Sequence, residues 1–183
     1  MTETSRRFRL KERTAEAHRR VDEKIGSFDS ARSYGRYLVG LYSFRYPIEQ
    51  ALIKVVLPRE LGDWRPTWVS SAIRADLNAL GLEAPGGLAA HDGFNTSSSL
   101  FGCLYVLEGS GFGARILRTR AHALGLSDTF GASHLAAQAS SASWSGFVSA
   151  LEETPDLDID IAVSAAIEAF AAAEAAFAEL EYA

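Results

Sequence analysis

The stretch that decides the fold is Leu100–Leu124, LFGCLYVLEGSGFGARILRTRAHAL. It is long, apolar and free of proline, and Leu100, Leu104, Leu107, Ile116, Leu117 and Leu124 recur at roughly helical spacing. Its middle nevertheless reads Gly109-Ser110-Gly111-Phe112-Gly113-Ala114. A glycine inside a helix costs about 1 kcal/mol relative to alanine, so this cluster needs a compensating role. At about 100° per residue, Gly109, Ser110, Gly113 and Ala114 share one face, one turn apart. That face carries almost no side chain. Two uses fit it: a flat, bulky ligand laid against bare backbone, or the close approach of another helix. Gly109-x-Gly111-x-x-Ala114, with Asp128 downstream, also matches the dinucleotide fingerprint. That motif demands strand, turn, helix and strand in one unit. Leu124–Asp128 holds no β-branched residue and nothing else reads as a parallel sheet, so the nucleotide reading is set aside.

A chain of 183 residues is long enough for one domain with a real core, and residues 1–183 read as a single unit. Abundant alanine favours helices. The net charge of −5 argues against general nucleic-acid affinity. The single cysteine, Cys103, excludes an internal disulfide and sits in an apolar run as core. No uninterrupted apolar span reads as a membrane helix, and no apolar segment follows the charges of MTETSRRFRL as in a signal peptide. The cytoplasm is the expected compartment.

Outward from the central stretch, Ser5 to Ile25 reads as a first helix with the stripe Leu10, Thr14, Ala17, Val21 and Ile25. His18 falls at its edge, in a row with Lys11, Thr14, Asp22 and Ile25. Asp22, one turn on, is placed to meet a ring nitrogen, fixing the tautomer and making the other nitrogen the better ligand. The plain alternative is a partly buried histidine in an incidental ion pair. Gly26-Ser27 ends this helix, and Ser30 or Ser33 caps an aromatic-rich second one, which Pro47 should kink or restart and Pro58 should stop. Thr67 is the expected cap of a helix over 68–80, and residues 82–96 form a loop in which His91 is exposed. Ser97–Ser99 cap the central helix and Gly125 ends it. Ser133 caps a helix over 134–153, bent or weakened at the serine cluster Ser140–Ser145. Asp158 or Asp160 opens a last helix running to about Tyr182. His122 and His134 show no convincing partners. The outcome is an all-α bundle of six or seven helices, in which a flat prosthetic group between the first helix and the central one explains both anomalies.

These residues resemble a known family. Arg13-Thr14-Ala15-Glu16-Ala17-His18-Arg19-Arg20-Val21-Asp22 is similar to the proximal-helix motif of heme oxygenases, in which a threonine precedes the iron-ligating histidine by four. Tyr105-Val106-Leu107-Glu108-Gly109-Ser110-Gly111-Phe112-Gly113 resembles the distal-helix motif of the bacterial branch often found with bacteriophytochromes, and Arg74–Gly81 resembles that branch's middle helix. The resemblance implies a single-domain heme-oxygenase-like helical bundle. It also implies the oxidative opening of heme to biliverdin, carbon monoxide and ferrous iron, with O2 and external electrons. Heme is then substrate and cofactor together. His18 would ligate iron as neutral imidazole, with Asp22 orienting it and Thr14 beside it. Lys11 would meet a propionate. Gly109, Ser110, Gly113 and Ala114 would lie over the distal face, confining dioxygen toward one ring edge, while distal waters deliver protons. The implied partners are a ferredoxin or flavoprotein reductase as electron donor and a bacteriophytochrome as biliverdin acceptor, with no nucleic acid and no membrane.

Four departures stand out, one of them Asp22, which replaces a common glutamate and is shorter, so that a water is expected to bridge it to His18. Ser110 stands where the best-known members carry aspartate, and Ala114 where the second of a glycine pair is usual. The last helix carries no base to meet a propionate. Ser110 and Ala114 keep open a heme-binding or heme-sensing protein with weak or no oxygenase activity, while the pairing of His18 with the glycine face argues against a third reading, a heme-free relative that takes another small molecule.

Overall fold

The computed structural model describes residues 5–178, which form seven α-helices and no strand. The helices are α1 (Arg6–Ile25), α2 (Ala31–Leu52), α3 (Ser70–Ala79), α4 (Ser97–Ala123), α5 (Ser133–Ser140), α6 (Ser143–Glu153) and α7 (Ile159–Ala178), with one 3-10 turn at Arg59–Leu61. The all-α reading holds, and the dinucleotide fingerprint lies inside an unbroken helix. The last helix's expected end near Tyr182 lies outside the described residues.

Local signals fix several boundaries. Ser5 caps α1, and Gly26 ends it with φ 62°. Ser30 and Ser33 form a reciprocal capping box at α2, so both proposed residues act together. Thr96 and Ser99 do the same for α4, one residue earlier than expected. Asp158 Oδ1 accepts the amides of Asp160 and Ile161 at the start of α7. Pro47 neither breaks nor restarts α2. It removes a single N–H, and the buried face of Tyr42, Phe44, Ile48 and Leu52 spans it.

Two helices take their caps from distant carboxylates. Thr67 does not cap α3; Glu49 of α2 accepts from the amides of Val69 and Ser70 and from the Ser70 hydroxyl. Ser133 does not cap α5; Asp76 of α3 accepts from the Ser133 amide and hydroxyl and from the His134 amide. The expected helix over 134–153 is two helices, broken at Ser141 and Ala142.

The core is built on α7, which packs against both α1 and α4. Arg13 pairs with Asp160 and Arg20 with Glu174, so α1 runs parallel to α7. The Asp158 amide donates to Ser98, and a Cβ built on Gly102 would stand 2.0 Å from the Ala162 carbonyl oxygen, so α4 also runs parallel to α7. Gly102 is where the two backbones touch. Contrary to the sequence reading, α4 and α7 are each long and apolar enough to cross a membrane. In this fold that apolar length packs on itself as the central pair.

Candidate functional site

With equal rise per residue along three parallel helices, levels can be matched. The His18 ring meets Phe170 of α7 edge-on at 5.5 Å. Counting on from Gly102 opposite Ala162, Ser110 reaches the level of Phe170. His18 and the glycine segment of α4 therefore flank α7 at one height. Closer to the helix N-termini the two walls meet, where the Tyr105 hydroxyl of α4 interacts with Thr14 of α1. Burial pushes the pKa of Tyr105 up, and the Thr14 contact works against that.

On the α1 wall, Thr14 is buried and donates to the Leu10 carbonyl at 2.7 Å. His18 lies one turn on, with its side chain 59% exposed, as its edge position predicts. Its Nδ1 is 3.0 Å from Oδ2 of Asp22, a direct approach with no need of a bridging water. Lys11 is exposed on the same row.

The α4 wall is narrower than its small residues suggest. A Cβ on Gly113 would meet nothing within 4 Å, and Gly113 is exposed. Ser110 is exposed too. Gly109 is partly covered by the Trp144 ring, 3.7 Å from where its Cβ would stand. Ala114 does not join this face. It lies two turns from both Leu107 and Ala121, all three are buried, and its methyl enters the core at 1% exposure.

Side chains that sequence reading passed over complete the site. Tyr105 sits on the Gly109–Gly113 row, a signal that i+4 spacing held in plain view. Trp144, at the start of α6, packs against Tyr105 and Phe112 to form an aromatic end wall; nothing in its local sequence marks it. Polar groups grip α4 just before the glycines. The fully buried Arg45 donates to Glu49 at 3.0 Å, to the Leu107 carbonyl at 3.1 Å and to the Thr67 carbonyl at 2.7 Å. Glu108 accepts from the Thr67 amide at 2.7 Å and from the hydroxyls of Thr67 and Ser143. The serine cluster is thus structural.

The other histidines lie elsewhere, and each has a partner that the sequence did not reveal. His134 is buried between Asp76 (2.7 Å) and the Tyr37 hydroxyl (3.3 Å). Burial lowers its pKa against the pull of Asp76. Burial would raise the pKa of Asp76, but its hydrogen bonds from His134 and Ser133 outweigh that and lower it. His122 meets Asp128, which also pairs with Arg118 and is held down to about 2 chiefly by that hydrogen bond. His91 is half-buried rather than exposed, accepts the Gly93 amide and stacks on Phe94.

The arrangement sets an exposed imidazole held by Asp22 on α1 and an exposed, nearly bare stretch of α4 backbone at one height on the two helices that pack against α7. No protein-family model matches the chain. It is 31% identical over 170 residues to heme oxygenase PigA of Pseudomonas aeruginosa, covering 88% of this chain and 86% of that protein. Its fold matches a crystal structure of the NO- and CO-bound heme oxygenase from Neisseria meningitidis with a TM-score of 0.80, over 97% of this chain and 92% of that one, at 24% identity. A similarity of that extent to a curated relative, on this fold, places the chain in the heme oxygenase family.

Proposed function

We propose that the chain binds heme between α1 and α4, with His18 Nε2 as the iron ligand, and opens the ring to biliverdin, carbon monoxide and ferrous iron. Two glycine environments carry this reading. Gly102 is demanded by packing, because a Cβ there would strike the Ala162 carbonyl. Gly113 has no such reason, since open space lies beside it. A residue that costs helix stability and meets no protein neighbour fits a face kept clear for a ligand. The His18 ring fits the opposite side: exposed, with Nδ1 facing Asp22 and Nε2 free among the described residues.

Heme, when bound, supplies the iron that activates dioxygen and the ring that is oxidised. This chain's residues do the rest. Asp22 holds the ligating tautomer and the orientation of the ring. Thr14 and Tyr105 bring the two helices together on the N-terminal side of the His18 level. Trp144 and Phe112 offer an aromatic edge that keeps water off one side. Lys11, exposed on the His18 row, is available to a propionate carboxylate. Gly113 limits the distal space to backbone, and Ser110 holds water there. O2 and an external electron donor, a ferredoxin or flavoprotein reductase, complete the reaction, and a bacteriophytochrome is a fitting acceptor of the product.

Addition of hemin should give a sharp Soret band that His18→Ala abolishes. Ascorbate or a reduced ferredoxin in air should then replace that band with far-red biliverdin absorption. A Soret band indifferent to His18→Ala would overturn the ligand assignment. Stable heme without bilin formation would leave a heme-binding protein and overturn the oxygenase reading.

A further inference from the structure

Ser110 is the polar side chain on the α4 wall, and its hydroxyl is not free to turn. It donates to the Leu107 carbonyl at 2.6 Å, the same carbonyl that Arg45 Nη1 reaches at 3.1 Å. It also accepts from the Gln138 Nε2 amide of α5 at 2.9 Å. Gln138 is itself buried at 6% exposure. A hydroxyl has one proton and two lone pairs. Here the proton is committed to Leu107 and one lone pair to Gln138, which leaves a single uncommitted lone pair on an exposed residue.

We infer that Gln138 is a positioning residue for the reaction: by fixing the Ser110 hydroxyl as an acceptor, it sets the direction of the water held over the distal face. The inference rests on the heme reading above. A water that donates one hydrogen to Ser110 keeps its second for a ligand on the heme side. Ser110 is then not the proton source. It aims a water that is. Without the Gln138 amide, the Ser110 hydroxyl still donates to Leu107 but gains a second open lone pair, so a water has two places to donate and loses its fixed direction. Gln138 reaches no ligand itself and acts only through Ser110.

The test uses Gln138→Met, which keeps chain length and burial while removing the donor, together with Ser110→Ala and the double variant. In the heme-free protein, Ser110→Ala should move the Gln138 side-chain amide resonance and expose it to faster hydrogen exchange. An unmoved resonance overturns the proposed contact whatever heme does. In the ferrous carbon monoxide complex, a proton aimed at the ligand lowers the C–O stretching frequency. Both single variants should therefore shift that infrared band upward, and the double variant no further than the larger single shift, since both remove one device. A band that Gln138→Met leaves in place, or shifts that add, means that Gln138 only packs α5 against α4 and overturns the inference. Failure of the wild-type protein to bind hemin overturns both this inference and the heme reading. A normal Soret band with an unmoved infrared band overturns this one alone.

Discussion

A methyl group weighs differently at two glycines of one helix. At Gly102 it would sit 2.0 Å from a carbonyl oxygen of α7, a backbone atom with nowhere to move. Gly102→Ala should therefore destabilise the protein by about 1–3 kcal/mol or more, as overpacking does. Gly113 has helical backbone and open space. Gly113→Ala should stabilise by up to about 1 kcal/mol through helix propensity alone. Gly113→Leu should leave the fold intact and suppress bilin formation. Chemical denaturation and a bilin assay on the same preparations check all three. Bilin formation undiminished in Gly113→Leu would remove the case for a cleared distal face. Which glycine packing demands and which it leaves open was not legible in the sequence, because spacing along α4 does not say where α7 crosses it. The same ignorance made Ala114 look like part of the open face. His18 and Asp22 were legible because i+4 geometry is local and the two residues need only their own helix to meet.

Among the elements, helices with caps in their own flanking sequence were the readable ones. α1, α2 and α4 carry serine or threonine caps beside their first turns, and sequence placed their starts within a residue or two. α3 and α5 also start within two residues of the expected positions, but their caps were misread as Thr67 and Ser133 because the capping carboxylates, Glu49 and Asp76, come from other helices. Glu49 also neutralises Arg45, and both are almost wholly buried. Glu49→Ala should cost about 3–5 kcal/mol, since it strands a buried guanidinium as well as uncapping α3. Glu49→Gln should restore part of the capping but little of the charge balance. Thermal melts of both variants distinguish the two contributions. Equal, small effects would mean that the pair matters less than its burial implies.

For the molecule as a whole, titration and ligand binding set the stability. The buried His134 has its pKa below the ordinary histidine value of 6.5, with burial as the main cause. Below that value the unfolded chain takes up a proton that the folded chain resists, so stability should fall as pH drops from about 6.5. Asp76, held below its ordinary 3.8, extends the loss further into acid, where its stabilising hydrogen bonds disappear as it is protonated. His134→Gln should flatten the first part of that slope in melts recorded against pH, leaving the more acidic part in place. Heme should act in the opposite sense: at a free concentration about 100 times its Kd, binding adds about 2.7 kcal/mol. That gain should vanish in His18→Ala, and a melting temperature raised equally in both proteins would point to binding away from α1. The all-α class was readable from periodicity throughout. The aromatic end wall of Trp144 was not, because it assembles from helices far apart in sequence.

The borrowed caps of α3 and α5 also bear on how the chain assembles. At 10 and 8 residues, both are short of the length at which an isolated helix holds in water. Without local caps they have little reason to form early. α2 must be in place before α3 gains its terminal partner, and α3 before α5 gains its own. Residues 67–82 and 132–141 as free peptides should be nearly structureless, and in refolding their amides should gain protection from exchange after those of α1, α2 and α4. Gln138 lies on α5, so its hydrogen bond to Ser110 would form only after α3 and α5 have docked in turn.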